Sequence, residues 1–242
     1  MTPDLTLLET VTLLPGSHAS PGDGVCAMEA IALAMGLPHS DVPPCTDAPL
    51  ARAFQKVNDW RGWKGDAART AFLRPYLMRL GRLAVAGKRA PLPAYGFAAA
   101  DLACRVFAPL SLEAGFPDHA AKLRGLLPVV DDKTARFAYV ACAAAAYVAT
   151  SAAYASARAA AAYANAAAAA ADAVAAAAVA AADAYKDLAA DADAAAVANA
   201  VAAVAAAVAN AVAAVAYEDL AGQLLTRLLD VCEAGRWPLG AP

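Results

Sequence analysis

Between Pro128 and Gly222 the chain has no glycine and no proline. These two residues are the usual punctuation of a folded chain, so their absence excludes a series of tight turns there and predicts helix. Most of the stretch is alanine, the strongest helix former and a residue with almost no chemistry of its own. Charge of one sign is also missing. The net charge is −3 over 242 residues, with 19 Lys and Arg against 22 Asp and Glu, so no global basic field invites nucleic acid or an anionic membrane. Residues 134–242 carry a net −4 and residues 1–133 a net +1. Cysteine is scarce: Cys26, Cys45, Cys104, Cys142 and Cys232 are odd in number and widely spread, which excludes the disulfide framework of a small secreted domain. The opening MTPDLTLLET lacks a basic segment followed by an apolar run, so the expected setting is cytoplasmic and reducing. The longest uncharged run, Ala194–Tyr217, spans 24 residues. It holds Asn199 and Asn210, no Leu, Ile, Phe or Trp, and no flanking basic anchors, which argues against a membrane span.

The alanine region is patterned. Ala196–Ala206 reads AVANAVAAVAA and Ala207–Tyr217 reads AVANAVAAVAY, an 11-residue repeat. At 100° per residue, Val197, Val201, Val204, Val208, Val212 and Val215 fall within an arc of about 80°, with the two asparagines opposite. Tyr163, Val174 and Tyr185 follow the same period, as do Asp172 and Asp183. An 11-residue period keeps such a seam nearly straight. One helix through the whole stretch would be ~140 Å long, so breaks are expected at Thr150-Ser151 and around Lys186–Asp193. The expected result is three or more closely packed antiparallel helices, with Tyr139, Tyr147, Tyr154 and the valines completing their seams. Type I antifreeze proteins are similar in composition and period but place threonine on the repeat. Here no threonine occurs between Thr150 and Thr226, which argues against an ice-binding face.

The rest of the chain is punctuated and mixed. Ser20-Pro21-Gly22-Asp23 reads as a capped helix start, leading into a helix with Val25, Met28, Ile31, Ala32 and Met35 on one side and a stop at Gly36-Leu37-Pro38. Thr46 or Asp47 caps a helix carrying Leu50, Phe54 and Val57. Asp66 opens another with Phe72, Leu73, Tyr76, Leu77 and Leu80. AGKRAPLPAYG reads as a linker, and helices around Phe97–Leu110 and Asp118–Leu126 follow. Leu220, Leu224, Leu225, Leu228 and Leu229 make an amphipathic last helix. No run alternates with strand period. The expectation is an all-α protein: a small N-terminal helical domain over residues 1–90, then an alanine-rich helical scaffold over residues 95–242.

Reactive side chains gather in one place. His18, Cys26, Glu29, His39, Asp41 and Cys45 lie within 28 residues. Three readings compete. His18, Cys26, His39 and Cys45 would form a Cys2His2 set of the kind zinc accepts, with Glu29 and Asp41 orienting the ligands, although H-x7-C-x12-H-x5-C matches no tight zinc spacing. Alternatively Cys26, in the second turn of its helix, is a nucleophile with His18 or His39 as base. In the third reading Cys26 is a small buried hydrophobe. Arg52, Lys56, Arg61, Lys64, Arg69 and Arg74 form a loose basic series that would suit nucleic acid, but such faces are ordinarily just solvated. Asn58-Asp59, with Trp60 and Trp63, reads as a helix end. There is no phosphate-binding glycine loop, no HExxH and no GxSxG.

The run Gly24-Val25-Cys26-Ala27-Met28-Glu29-Ala30, the loop Gly36-Leu37-Pro38-His39-Ser40-Asp41-Val42-Pro43-Pro44-Cys45 and the following Asn58-Asp59 resemble a family of proteins from actinobacteria and their phages for which no activity is established. Its members also carry an alanine-rich C-terminal part. The resemblance covers residues 16–60 well and the remainder loosely. It implies that Cys26, Glu29, His39, Asp41 and Cys45 belong to a family pattern. The alanine-rich half, with FAAADLACRVFAPLSLEAGF before it, is also somewhat similar to bacterial putative immunity proteins, mainly in composition. Together these features predict a non-enzymatic interaction or self-assembling scaffold protein, with a protein partner or a second copy as its ligand. The alternatives are a zinc- or cysteine-dependent site in the N-terminal domain, or nucleic-acid binding through residues 52–74.

Overall fold

The computed structural model describes residues 2–113, 116–155 and 214–235. The protein is all-α, with no strand among the described residues. In chain order the helices are α1 (Leu7–Thr10), α2 (Ala27–Ala34), α3 (Ala48–Asn58), α4 (Asp66–Val85) and α5 (Leu92–Leu102). A π-helical segment (Ala103–Phe107) then leads into α6 (Ala108–Leu112), followed by α7 (Pro117–Arg124), α8 (Asp132–Ala155) and α9 (Ala214–Ala234). The 11-residue repeat before Ala214, the 163–185 periodicity and the break expected at 186–193 lie outside the described residues.

α3 follows from its pattern. Asp47 is the N-cap, Pro49 sits in the first turn, and Leu50, Phe54 and Val57 are buried. In α4, Leu73, Leu77 and Leu80 are buried while Phe72 and Tyr76 are partly covered. In α9 all five leucines are buried, each worth ~1.5–3 kcal/mol of transfer free energy. They bring the C-terminal helix against α3, α4 and α5. Contact is close: a Cβ at Gly222 would lie 2.7 Å from the Tyr76 hydroxyl, so a larger residue there would have to displace the end of the Tyr76 side chain. Arg79 of α4 bridges Asp230 and Glu233 of α9. One hydrophobic cluster runs from Leu8 through Met28, Phe54, Leu77, Tyr95 and Cys142 to Cys232.

Four expectations change. First, α2 begins at Ala27 with Cys26 as its N-cap, not at Pro21. Ser20 and Asp23 instead bond each other in a turn, Ser20 Oγ donating to Asp23 Oδ2 at 2.7 Å, and Gly24 at φ 129° then redirects the chain. Second, the expected linker is partly helix. Pro93 lies in the first turn of α5, where its missing N–H costs nothing, and Pro93, Ala94 and Tyr95 are buried. Third, α8 runs unbroken through Thr150 and Ser151. Fourth, Tyr139 is exposed rather than part of a packed seam. The side chains of Tyr147 and Tyr154 lie outside the described residues.

Candidate functional site

The N-terminal cluster is organised by a carboxylate. Glu29, in the first turn of α2, is 1% exposed. Its Oε1 accepts the backbone N–H of His18 at 2.7 Å. Its Oε2 accepts the backbone N–H of Cys26 at 2.7 Å and lies 2.8 Å from His18 Nδ1. The Cys26 side chain accepts in turn from the backbone N–H of Glu29, completing a capping box with cysteine in the place usually held by serine or threonine. Burial alone would raise the Glu29 pKa, but the N–H groups of His18 and Cys26 and the His18 ring outweigh it and hold the carboxyl below its ordinary value. The geometry therefore fits an ionised Glu29 accepting a hydrogen bond from His18 Nδ1.

His39 closes the other side. Its Nε2 donates to the His18 carbonyl at 3.0 Å and lies 3.6 Å from Glu29 Oε1. Its Nδ1 is buried without a hydrogen-bond partner. Both histidines thus tie the loop 16–25 and the loop after α2 to one buried negative charge.

Cys26 is 3% exposed, and burial, with the nearby Glu29 charge adding to it, pushes its thiol up to about 12. A nucleophilic cysteine needs the opposite shift. The helix N-terminus does not lower this thiol enough, because the protein interior around it disfavours the thiolate. Cys45 points elsewhere, its Sγ 3.8 Å from Thr46 Oγ1. No group of three or more His, Cys, Asp and Glu among the described residues is arranged to hold a metal ion. The expected set of His18, Cys26, His39 and Cys45, with Glu29 and Asp41 behind it, is thus not assembled as ligands: His18, Glu29 and His39 bond one another, and Cys26 caps a helix.

Residues that the sequence offered only as a helix end or as part of a basic series, together with Thr70, which it did not single out, anchor this region. Asn58 Nδ2 donates to the Leu14 carbonyl at 2.9 Å, and Asp59 Oδ1 accepts the Gly16 N–H at 2.7 Å. Buried Arg69 donates through Nε to the Asn58 carbonyl at 2.7 Å and through Nη1 to the Leu13 carbonyl at 3.2 Å, and pairs with Asp66. Thr70 Oγ1 accepts the Leu13 N–H at 2.9 Å, and Arg74 Nη2 donates to the Val11 carbonyl at 2.9 Å. The basic series is therefore not one surface. Arg69 and Arg74 are built into the fold, which leaves Arg52, Lys56, Arg61 and Lys64 exposed.

Beside the cluster a cleft of about 300 Å³ is lined by Gly16, Ser17, Cys26, Asp41, Arg52, Gln55, Lys56 and Asp59. Elsewhere in the fold, α8 buries Ala135, Ala138, Cys142 and Ala145. About 150° round the helix, Phe137 and Val140 are 64% and 62% exposed, and Ala144 is exposed with them. Leu127, 75% exposed, borders an adjoining apolar cleft of about 350 Å³ with Leu126, Thr134, Phe137 and Ala138. Among the described residues no helix is long and apolar enough to cross a membrane. No family model, no curated protein and no solved structure matches this chain.

Proposed function

We propose that the chain is a non-enzymatic self-association protein whose alanine-rich helices pack against those of a second copy. The observation that carries this reading is the pair of opposite apolar stripes on α8. One stripe, Ala135, Ala138, Cys142 and Ala145, is buried in the protein's own core, while the other, Phe137, Val140 and Ala144, faces out. A surface helix needs one apolar stripe, and a helix with two is suited to lie between two partners. Alanine at the contact lets helix backbones approach closely, so a modest apolar area still packs well. The same chain carries a valine seam in its 11-residue repeat, a pattern that a helix of this chain or of a second copy would cover. The buried thiol of Cys26 and the absence of a metal-ligand group among the described residues favour this reading over catalysis at the N-terminal cluster.

Sedimentation equilibrium over a wide concentration range tests it. The native chain is expected to associate reversibly, and Phe137→Ser with Val140→Ser to shift the equilibrium to monomer while leaving the circular dichroism spectrum unchanged. A native chain that is monomeric throughout overturns the reading, as does association that the double substitution leaves intact.

A further inference from the structure

The cleft beside Cys26 is lined by charges of both signs that do not neutralise one another. Arg52, Gln55, Lys56 and Asp59 recur at intervals of three and four residues along and just past α3, so they share one face, and Asp41, on the loop after α2, lines the cleft with them. The Asp41 carboxylate and the Lys56 ammonium have no hydrogen bond or ion pair among the described residues. Arg52 spends only Nη1, on Gln55 Oε1 at 3.0 Å. Asp59 Oδ1 is committed to Gly16 and Asn58.

Hydrogen bonds brace the residues that carry these charges. Gln55 braces both sides, accepting from Arg52 and donating through Nε2 to the Asp41 carbonyl at 2.7 Å. The Gly16 bond to Asp59 fixes the loop that forms the opposite wall. At about 300 Å³ the space lies at the small end of ligand sites, which run from roughly 300 to 1,000 Å³. A simple anion would be drawn to Arg52 and Lys56 but repelled by Asp41 and Asp59, and a simple cation would meet the reverse. A small molecule bearing both charges satisfies all of them.

We infer that this cleft binds a zwitterion of amino-acid size, with its carboxylate on Arg52 and Lys56 and its ammonium on Asp41. The Arg52 guanidinium is suited to a carboxylate because its planar fork matches two oxygens. Ser17 and the Cys26 thiol, which remains protonated at neutral pH, complete the wall without adding charge. No residue of α8 lines the cleft, so the assignment does not rest on self-association and stands whether or not the chain dimerises.

The test is an NMR titration of the full-length chain, following the Gly16, Ser17 and Gln55 amide signals. The common L-amino acids are added one at a time at millimolar concentration, with acetate, methylammonium and inorganic phosphate as single-charge controls. At least one amino acid is expected to move these signals to saturation while the controls do not. Asp41→Asn and Arg52→Gln, both away from the core, should each weaken that binding by more than about tenfold, the scale of one lost charge-assisted hydrogen bond, with unchanged circular dichroism. Saturation by acetate or phosphate as readily as by an amino acid would make the cleft an anion site and overturn the assignment. So would an absence of any saturable shift, or amino-acid binding that neither substitution weakens.

Discussion

The Glu29 carboxylate takes the backbone N–H of His18, eleven residues earlier, at 2.7 Å, and so pins a glycine- and proline-rich loop to the start of α2. Because the same carboxylate also takes the Cys26 N–H and the His18 ring, no neutral side chain of the same shape replaces it. In Glu29→Gln one carboxylate oxygen becomes an NH2 facing donors, which leaves at least one buried N–H without an acceptor. The expected cost is about 2–4 kcal/mol. Urea unfolding measures it; a loss below about 0.5 kcal/mol, within the range of surface changes, would mean the loop is held by something else.

The same group sets an acid dependence. Its folded-state pKa lies below its ordinary value of 4.5, so the folded protein binds this proton less readily than the unfolded chain. Stability from Glu29 is therefore fully present above pH 4.5 and is lost as pH falls through the lower, folded value. The native protein should lose stability steeply on acidification below about pH 4.5, and Glu29→Gln should flatten that slope. Equal slopes in the two proteins, measured by thermal melting across the acid range, would contradict the bonding described.

Gly24 tests the loop's shape rather than its charge. At φ 129° it occupies a region that side chains rarely adopt, and a Cβ there would lie 2.4 Å from Leu14 Cδ1 and 3.1 Å from the His18 ring. Gly24→Ala should destabilise the protein by about 1–3 kcal/mol, and the loss should shrink when Leu14→Ala is added, since that change removes the nearer clash. A Gly24→Ala loss as large in the Leu14→Ala background as in the native chain would place the whole cost in the backbone conformation.

How far this was legible in the sequence differs by element. α3, α4 and α9 were readable because their leucines and aromatics recur at helical spacing and drive burial directly. The start of α2 was not, because Ser20-Pro21 has the chemistry of a helix cap, and only the conformation at Gly24 and the reach of Glu29 back to Cys26 move the start to Ala27. The prolines of residues 91–93 were read as linker although proline in a first turn is compatible with helix. The grouping of His18, Cys26, Glu29 and His39 was visible as proximity in the chain. What was hidden is that Glu29 is the hub, since that depends on three loop groups folding onto one carboxylate. Asn58 and Arg69 were named only as a helix end and as one of a basic series, and their anchoring role was hidden for the same reason: their partners are backbone carbonyls of residues 13, 14 and 58, which have no signature in residue type.

The cysteines should divide by access. Cys45 is partly exposed, whereas Cys26, Cys104, Cys142 and Cys232 are buried, and burial raises the Cys26 and Cys232 thiols. Cys104 is raised first by its hydrogen bond with Cys142 and then by burial. Iodoacetamide at neutral pH should label Cys45 first, with the other four reacting only when the chain is unfolded. Mass mapping of a time course reads this directly, and labelling of Cys26 ahead of Cys45 would revive the nucleophile reading.

Arg69 distinguishes a structural cation from a nucleic-acid contact. It is buried, and its Nε and Nη1 reach the carbonyls of Asn58 and Leu13 from one rigid plane. Lysine keeps the charge but has a single nitrogen, so it cannot serve both carbonyls and Asp66 from that position. Arg69→Lys should therefore cost about 2–3 kcal/mol, the scale of a lost hydrogen bond to a buried charged group. It should also speed amide exchange at Gly16, whose loop hangs from the same residues. Arg61→Lys, at an exposed position of the same basic series, should stay within about 0.5 kcal/mol. If the two substitutions behave alike in denaturant, Arg69 is not the anchor its hydrogen bonds describe.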